Sequence, residues 1–389
     1  MGETSRRSFL TLLASFPILV TLPSGLLRAA TLRLRQVRHW TAPDHTRLVI
    51  ELDAPTRFST RLLDDEGTAS RLVIEIPTAV LPEGLGEMTV PVNDGLVKQV
   101  HAYVLGQSLL LRVELERAAE YDAFPLAPDA GGISARVVVD VRRKWSDVER
   151  DQQQREVEAV RKSGDVIVAI DAGHGGNDPG CIGHGVIEKD VALAVARQLA
   201  AVLAGRPRLR TVLTRDKDYF VPLARRQQIA RGYGAQIFVS IHANAAPSPT
   251  ARGPEVFFVS LQGAADRAER ELIDRENAAD RVGGVTAEQV GSPVLDILVN
   301  LKQSSAMRRS ERLGECVLKH MADLPGGEDR GLKQGPLAVL KSIDAASVLV
   351  ELGFVTNKND AVLMRDPAMH RRYARQIGTA VDDFIAAGL

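Results

Sequence analysis

The sequence predicts two domains, an N-terminal all-β sandwich and a C-terminal α/β domain built on an open sheet. Between residues 31 and 142, short runs alternate apolar and polar residues at the period of strands, with turn signals between them. From 165 onward, apolar runs too short to be helices alternate with long helical patterns, the arrangement expected of an open sheet. A charged, glutamine-rich stretch separates the two halves. At 389 residues the chain has room for both.

The chain opens on Ser5-Arg6-Arg7-Ser8-Phe9-Leu10 and an apolar stretch reaching about Leu22. This reads as a twin-arginine export signal occupying residues 1–30, with cleavage near Ala29 or Ala30. The stretch is short and interrupted by proline, so no stable membrane span is expected. Export in the folded state to the periplasm follows from such a signal.

The all-β half, 31–142, contains an internal repeat. Arg47-Leu48-Val49-Ile50-Glu51-Leu52 is matched by Arg112-Val113-Glu114-Leu115, and Arg71-Leu72-Val73-Ile74-Glu75-Ile76 by Arg136-Val137-Val138-Val139-Asp140-Val141. Both matches fall on one offset (47 to 112, 71 to 136), which suggests two similar sheets packed face to face. Trp40, Tyr103 and Tyr121 have rings suited to sugars, although core packing explains each as well. His39, His45 and His101 suggest no metal cluster. Residues 143–164 follow, with Trp145, Val148, Val157 and Val160 as their few large apolar side chains. They read as an exposed helix or a flexible tether.

In the second half, 165–389, Val166 to Ile170 is a buried strand feeding the glycine-rich turn that carries His174. Glu188 opens a helix running to about Leu203. Ile237 to Ile241 is a second strand, with His242 just past its end, and Val348 to Val350 a third, with Glu351 at its exit. Further helices are expected at about 222–232, 264–281, 294–322 and 369–387. Ligands of open α/β sheets gather outside the carboxyl ends of strands, where three of these four residues fall. Two histidines and a carboxylate give zinc three protein ligands and an open fourth position. Glu351 is then left to move the proton of a water. Singly, each residue has a plainer role: a hydrogen-bonding loop histidine, a first-turn acid at Glu188, a buried ion-pair partner at Glu351. Their spacing is no generic zinc motif, so the residues alone support a metal-dependent hydrolase and stop there.

The segments Asp171-Ala172-Gly173-His174-Gly175-Gly176, Glu188-Lys189-Asp190, Ser240-Ile241-His242-Ala243-Asn244 and Val350-Glu351-Leu352-Gly353-Phe354 resemble, in combination, the zinc-dependent N-acetylmuramoyl-L-alanine amidases that cleave bacterial peptidoglycan. The resemblance runs from about Asp165 to the C-terminus. It implies one Zn2+ held by His174, Glu188 and His242, with Glu351 as the catalytic glutamate. It also implies hydrolysis of the amide joining the muramic acid lactyl group to L-alanine. The β half looks like the AMIN domain found ahead of such amidases, associated with wall binding and the division site.

Residues 264–305 form an insertion with a charged helix, Asp266 to Arg281, stopped by Gly283-Gly284, and a second segment from Pro293. Ion pairs such as Glu271 with Arg275 account for its charge but not for so long an insertion beside a catalytic edge. Division-associated members carry a similar insertion, whose helix supplies a glutamate to the zinc. The matching position is Glu276, which the resemblance makes a self-inhibitor released by a LytM-domain activator protein.

Lysine plus arginine and aspartate plus glutamate both number 49, so no global field argues for a nucleic-acid partner. The two cysteines, Cys181 and Cys316, are too few for a disulfide framework, and Cys181 reads as a small apolar loop residue. His184, His320 and His370 read as exposed or packing residues. Asn244 and Lys341 lie near the expected cleft, where they suit groups of a stem peptide or sugar. Three functions stay open: an autoinhibited zinc amidase separating daughter cells, a zinc peptidase acting within the stem peptide, and a non-catalytic wall-binding protein.

Overall fold

The computed structural model describes residues 32–63, 70–126, 128, 134–144, 147–260, 267–283, 300–327, 330–341 and 344–388. The expected export signal with its cleavage position, Trp145, and the parts of the insertion at 264–266 and 284–299 lie outside the described residues.

Among the described residues, ten strands make the N-terminal sandwich: β1 (Leu32–Thr41), β2 (His45–Leu52), β3 (Ser59–Leu63), β4 (Arg71–Pro77), β5 (Ala79–Val80), β6 (Glu87–Pro91), β7 (Val97–Leu105), β8 (Ser108–Leu115), β9 (Ala119–Leu126) and β10 (Ala135–Arg143). They form two five-stranded sheets, ordered β5-β1-β2-β10-β9 and β3-β4-β8-β7-β6. The two sheets are those the repeat suggests, but each half of the repeat spans both. β2 pairs with β10, and β4 with β8. The inward positions Leu48, Ile50, Ile74, Leu111, Val113 and Val139 fill the space between the sheets. Each such side chain, fully buried, contributes about 1.5–3 kcal/mol. β4 and β8 alternate buried and more exposed residues, whereas β2 and β10 are buried on both faces for most of their length.

The connecting stretch is a helix, α1 (Asp147–Lys162), mostly exposed where described. The rest consists of β11 (Val166–Ala172), the hairpin β12 (Ile182–Gly183) and β13 (Val186–Ile187), α2 (Glu188–Ala204), β14 (Leu209–Leu213), α3 (Leu223–Tyr233), β15 (Ile237–Asn244), β16 (Glu255–Val259), α4 (Arg267–Asn277), α5 (Ala279–Gly283), α6 (Asn300–Ala322), β17 (Leu332–Gly335), β18 (Ala346–Phe354), α7 (Lys358–Arg365) and α8 (Pro367–Ala386). The main sheet is ordered β14-β11-β15-β18-β16-β17. The first four strands run parallel, and β16 and β17, parallel to each other, run antiparallel to them at one edge. Alternate residues of the central strands face two cores. Val168, Val239 and Val348 pack with α2, α6 and α8, while Ala169, Phe238 and Leu349 pack with α3, α4 and the 3-10 turn Ala338–Leu340.

Two local expectations are corrected and one helix is added. β15 continues through His242 to Asn244, because His242 still pairs with Glu351 of β18 in the sheet. The helix expected over 264–281 breaks at Ala278 into α4 and α5. The helix expected at about 369–387 is α8, capped by Asp366, which accepts from the N–H of Ala368 at 2.8 Å with Pro367 at its first turn, and an unexpected shorter helix, α7, precedes it.

Candidate metal centre

The turn after β11 is held from behind by two buried arginines. Arg215 donates to the carbonyls of Ala172 at 2.9 Å and Gly173 at 2.7 Å; Arg226 donates to those of Ala172 at 2.6 Å and His174 at 2.8 Å. Asp171 is buried and accepts from Arg226 at 2.9 Å and from the hydroxyls of Thr214 and Ser240 at 2.6 Å each. Burial opposes the charge of Asp171, but Arg226 and the two hydroxyls hold its pKa below the usual carboxylate value. Such side-chain donors replace the backbone partners that a turn carbonyl lacks.

His174 sits in this turn in the left-handed region, at φ +56°. Its Nδ1 lies 2.8 Å from Asp178 Oδ2, which turns Nε2 inward to within 3.0 Å of Glu188 Oε1. Glu188, the first residue of α2, is fully buried. Its Oε2 accepts from the Cys181 N–H at 2.7 Å and its Oε1 from the Ala243 N–H at 3.0 Å. His242 places Nδ1 3.0 Å from the same Oε1. Two glycines let these groups meet: a Cβ on Gly173 would lie 2.4 Å from the His242 ring, and one on Gly180 2.6 Å from Glu188 Oε2. Cys181 is buried beside Glu188, stands outside the donor cluster, and serves it through its backbone N–H.

Glu276 on α4 completes the group. Its Oε2 is 3.3 Å from His174 Nε2 and 3.1 Å from His242 Nδ1, and Arg275 donates to its Oε1 at 3.2 Å. One donor atom from each of His174, Glu188, His242 and Glu276 lies within 4.8 Å of the others, and all four residues are buried. Glu351 stands beside them on β18, fully buried, with neither carboxylate oxygen hydrogen-bonded. Burial and the nearby Glu188 and Glu276 carboxylates push its pKa well above the usual range, against the pull of His242 and Arg275.

These residues fit a divalent cation. The buried Nε2 of His174 has no hydrogen-bond partner despite facing two carboxylates. Burial opposes protonation of both histidines, yet the Glu188 and Glu276 carboxylates hold the His174 pKa well above its ordinary value and raise that of His242 to about 10. Two buried carboxylates converging on two imidazoles favour positive charge in the pocket, which a dication supplies. Imidazole and carboxylate donors suit zinc and its neighbours.

Of the other residues expected near the cleft, Asn244 is buried and bound on both sides. It donates to Glu255 at 3.0 Å, and its carbonyl oxygen accepts from Arg275 at 2.8 Å. Lys341 ends the turn after Leu340, half-buried. His184 is exposed. Tyr103 lies against His101, Tyr121 donates to Thr60 at 3.2 Å, and Trp40 packs near Gly176 of the site turn. Asp178, Arg215 and Arg226 are not expected from the sequence, and Arg275, expected to pair with Glu271, faces Glu276 and Asn244 instead, while Glu271 accepts from Arg267. Only Asp178 carries a local signal, since it follows His174 by four positions.

Both halves of the chain are similar to known proteins. The N-acetylmuramoyl-L-alanine amidase family profile matches residues 168–383, and that of the AMIN domain matches residues 36–141. The chain is 30% identical to N-acetylmuramoyl-L-alanine amidase AmiC of Neisseria meningitidis serogroup B, over 98% of this chain and 96% of that protein. It is 36% identical to AmiA of Escherichia coli K12, over 57% of this chain and 77% of that one. Among solved structures, AmiC2 of Nostoc punctiforme is 27% identical, covering 58% of this chain and 99% of that one at a TM-score of 0.42. The full-length relatives and the AMIN match imply a periplasmic or extracellular protein, and no described helix is long and apolar enough to cross a membrane. With one profile covering more than half of it and a relative matched nearly end to end, the chain belongs to the N-acetylmuramoyl-L-alanine amidases, the peptidoglycan-cleaving hydrolases, and carries an AMIN domain ahead of its catalytic one.

Proposed function

We propose that this amidase is zinc-dependent, holds its metal through His174, Glu188 and His242, and is kept silent by Glu276. The observation that carries the reading is the convergence of these four donors within 4.8 Å beside the unpaired carboxylate of Glu351. Zinc, when bound, supplies Lewis-acid polarisation of the scissile carbonyl and acidifies water. The chain's own residues do the remainder. Glu351 takes a proton from the attacking water and passes it to the leaving nitrogen of L-alanine. A carboxylate that is buried and free of competing hydrogen bonds suits both halves of that transfer. Asp178 fixes the ring of His174, and the Cys181 and Ala243 N–H groups orient Glu188.

Glu276 approaches the same two histidines from α4, where a substrate carbonyl or a water would otherwise sit. Arg275 ties that helix to Asn244 of β15. A LytM-domain activator that draws α4 away would shift the population toward an open site. In this reading residues 1–30 direct twin-arginine export to the periplasm and 31–142 target the wall at the division site. Residues 143–164 join the halves, 165–389 cut peptidoglycan, and the insertion at 264–305 restrains the cut until daughter cells separate.

The test is mass analysis of the soluble products when the zinc-loaded Glu276→Ala protein is incubated with purified sacculi. Free peptides beginning with L-alanine, with intact lactyl groups left on the glycan, are expected. Shortened stems still attached to glycan would make it a peptidase, and no release with zinc bound would leave either a further activator requirement or a wall-binding protein.

A further inference from the structure

The two central strands β2 and β10 are buried on both faces, although only one face meets the sandwich core. On the outward face, Arg47 of β2 makes a two-pronged pair with Asp140 of β10, Nε to Oδ1 at 2.6 Å and Nη2 to Oδ2 at 2.7 Å. The arginine is buried and has one guanidinium nitrogen left. That nitrogen, Nη1, donates to the carbonyl of Gly283, the last residue of α5. A helix's final carbonyls lack intrahelical partners, so a fixed cation there closes the end of the segment.

Other contacts make this end a fitted seat. The guanidinium lies 6.0 Å from the ring centres of both Phe124 and Phe220. Phe220 presses on Gly283 so closely that a Cβ there would stand 2.1 Å from the ring. From the catalytic side, Asn177 donates to the Val282 carbonyl at 3.1 Å, and Asp280 accepts from the Leu223 N–H at 2.9 Å. Alongside, Trp40 and Ala42 pack with Tyr219, Val221 and Ile229. α5 follows directly on α4, with Ala278 bonded back to Asp274 and Arg275, so the two helices are mechanically joined.

We propose that the outer face of the β2–β10 sheet is a docking surface for the insertion of this same chain. Arg47, held in place by Asp140, clamps the end of α5 and so keeps Glu276 of α4 seated between His174 and His242. The N-terminal domain is thereby part of the restraint, and anything that shifts it against the catalytic domain loosens α4. The inference rests on reading Glu276 as the inhibitory group.

The experiment compares four full-length variants with the parent: Arg47→Ala, the paired Arg47→Leu/Asp140→Leu, Glu276→Ala, and Arg47→Ala combined with Glu276→Ala. The paired variant removes both buried charges together and so avoids stranding an unpaired aspartate. Amide exchange over 267–283 and basal release of peptides from sacculi are read in each. Both Arg47 variants are expected to speed exchange in that segment about tenfold and to raise basal release toward that of Glu276→Ala. Adding Arg47→Ala to Glu276→Ala is expected to raise release no further. Faster release in Glu276→Ala, with exchange and release unchanged in both Arg47 variants, would overturn the clamp and leave the inhibitory glutamate standing. If Glu276→Ala releases nothing extra, the inhibitory reading fails. The docking surface is then kept by faster exchange in the Arg47 variants and overturned by unchanged exchange.

Discussion

The carboxylate of Glu276 lies 3.1 Å from Nδ1 of His242, although one residue belongs to an inserted helix and the other to a central strand. A carboxylate in that place competes with water and substrate for the same donors. Glu276→Ala is therefore expected to raise basal hydrolysis of sacculi at least about tenfold, equivalent to about 1.4 kcal/mol in the closed-to-open balance. Dye release from labelled sacculi without any activator measures it. An unchanged basal rate would remove Glu276 from regulation.

Asp178 faces His174 from the side away from the donor cluster, at 2.8 Å from Nδ1. Accepting the Nδ1–H fixes the ring so that Nε2 faces the other donors with its lone pair. Asp178→Asn weakens that hold and removes the negative charge behind the ligand. Zinc affinity is expected to fall about 10–100-fold with the fold intact. Competition against a chromophoric chelator reads the affinity, and circular dichroism the fold. Equal zinc affinity in the two proteins would leave Asp178 a turn residue only.

The chemistry at the sheet edge was legible because it is local. His174, Glu188, His242 and Glu351 each sit in a short motif at a strand end or helix start, and those four motifs meet in the structure. Glu276 is different, since nothing in its own helix marks it apart from other acids, and only likeness to a family pointed there. Arg215 and Arg226 were not legible at all. They act by donating to turn carbonyls from other elements, a role without a periodic or spacing signature. β14 and β17 escaped for a related reason, being short, partly polar and defined by their neighbours. The repeat revealed the paired sheets of the sandwich but not that each half crosses between them, which depends on turns rather than on the matched strands.

Gly173 shows how little room the site leaves. Its backbone φ lies outside the left-handed region, so only space opposes a side chain there, and the obstacle is the His242 ring at 2.4 Å. Gly173→Ala is expected to displace that ring and to cost at least about 100-fold in activity, or about 2.7 kcal/mol. Metal binding is expected to weaken with it. Gly205, with open space around its Cα, is the control, and Gly205→Ala is expected to leave both unchanged. Zinc content after gel filtration and turnover of sacculi give the comparison. A fully metallated, active Gly173→Ala would show that the turn can yield.

Asp94 is a hinge pin of the sandwich and gives a pH prediction remote from the metal. It accepts from the hydroxyls of Thr41 and Thr46 at 2.7 and 2.6 Å, and from the N–H groups of Leu96 and Val97 at 3.0 and 2.8 Å. The β1–β2 turn of one sheet is thus joined to the start of β7 in the other. Burial opposes the charge, but the four donors outweigh it and hold the pKa below its ordinary 3.8. The sign follows from linkage: a carboxylate with a lowered folded pKa stabilises above its unfolded pKa, and that contribution is lost as pH falls through the folded value. The β domain is therefore expected to lose stability as pH drops from 3.8 downward. Asp94→Asn keeps the shape but accepts through one oxygen, so it costs about 1 kcal/mol at pH 7, discounted for its half-exposure. The variant is expected to melt lower at pH 7 and to differ less from the parent in acid. Melting curves of the β-domain transition from pH 7 down to 3 test this, and parallel losses in the two proteins would show that Asp94 does not supply the acid sensitivity.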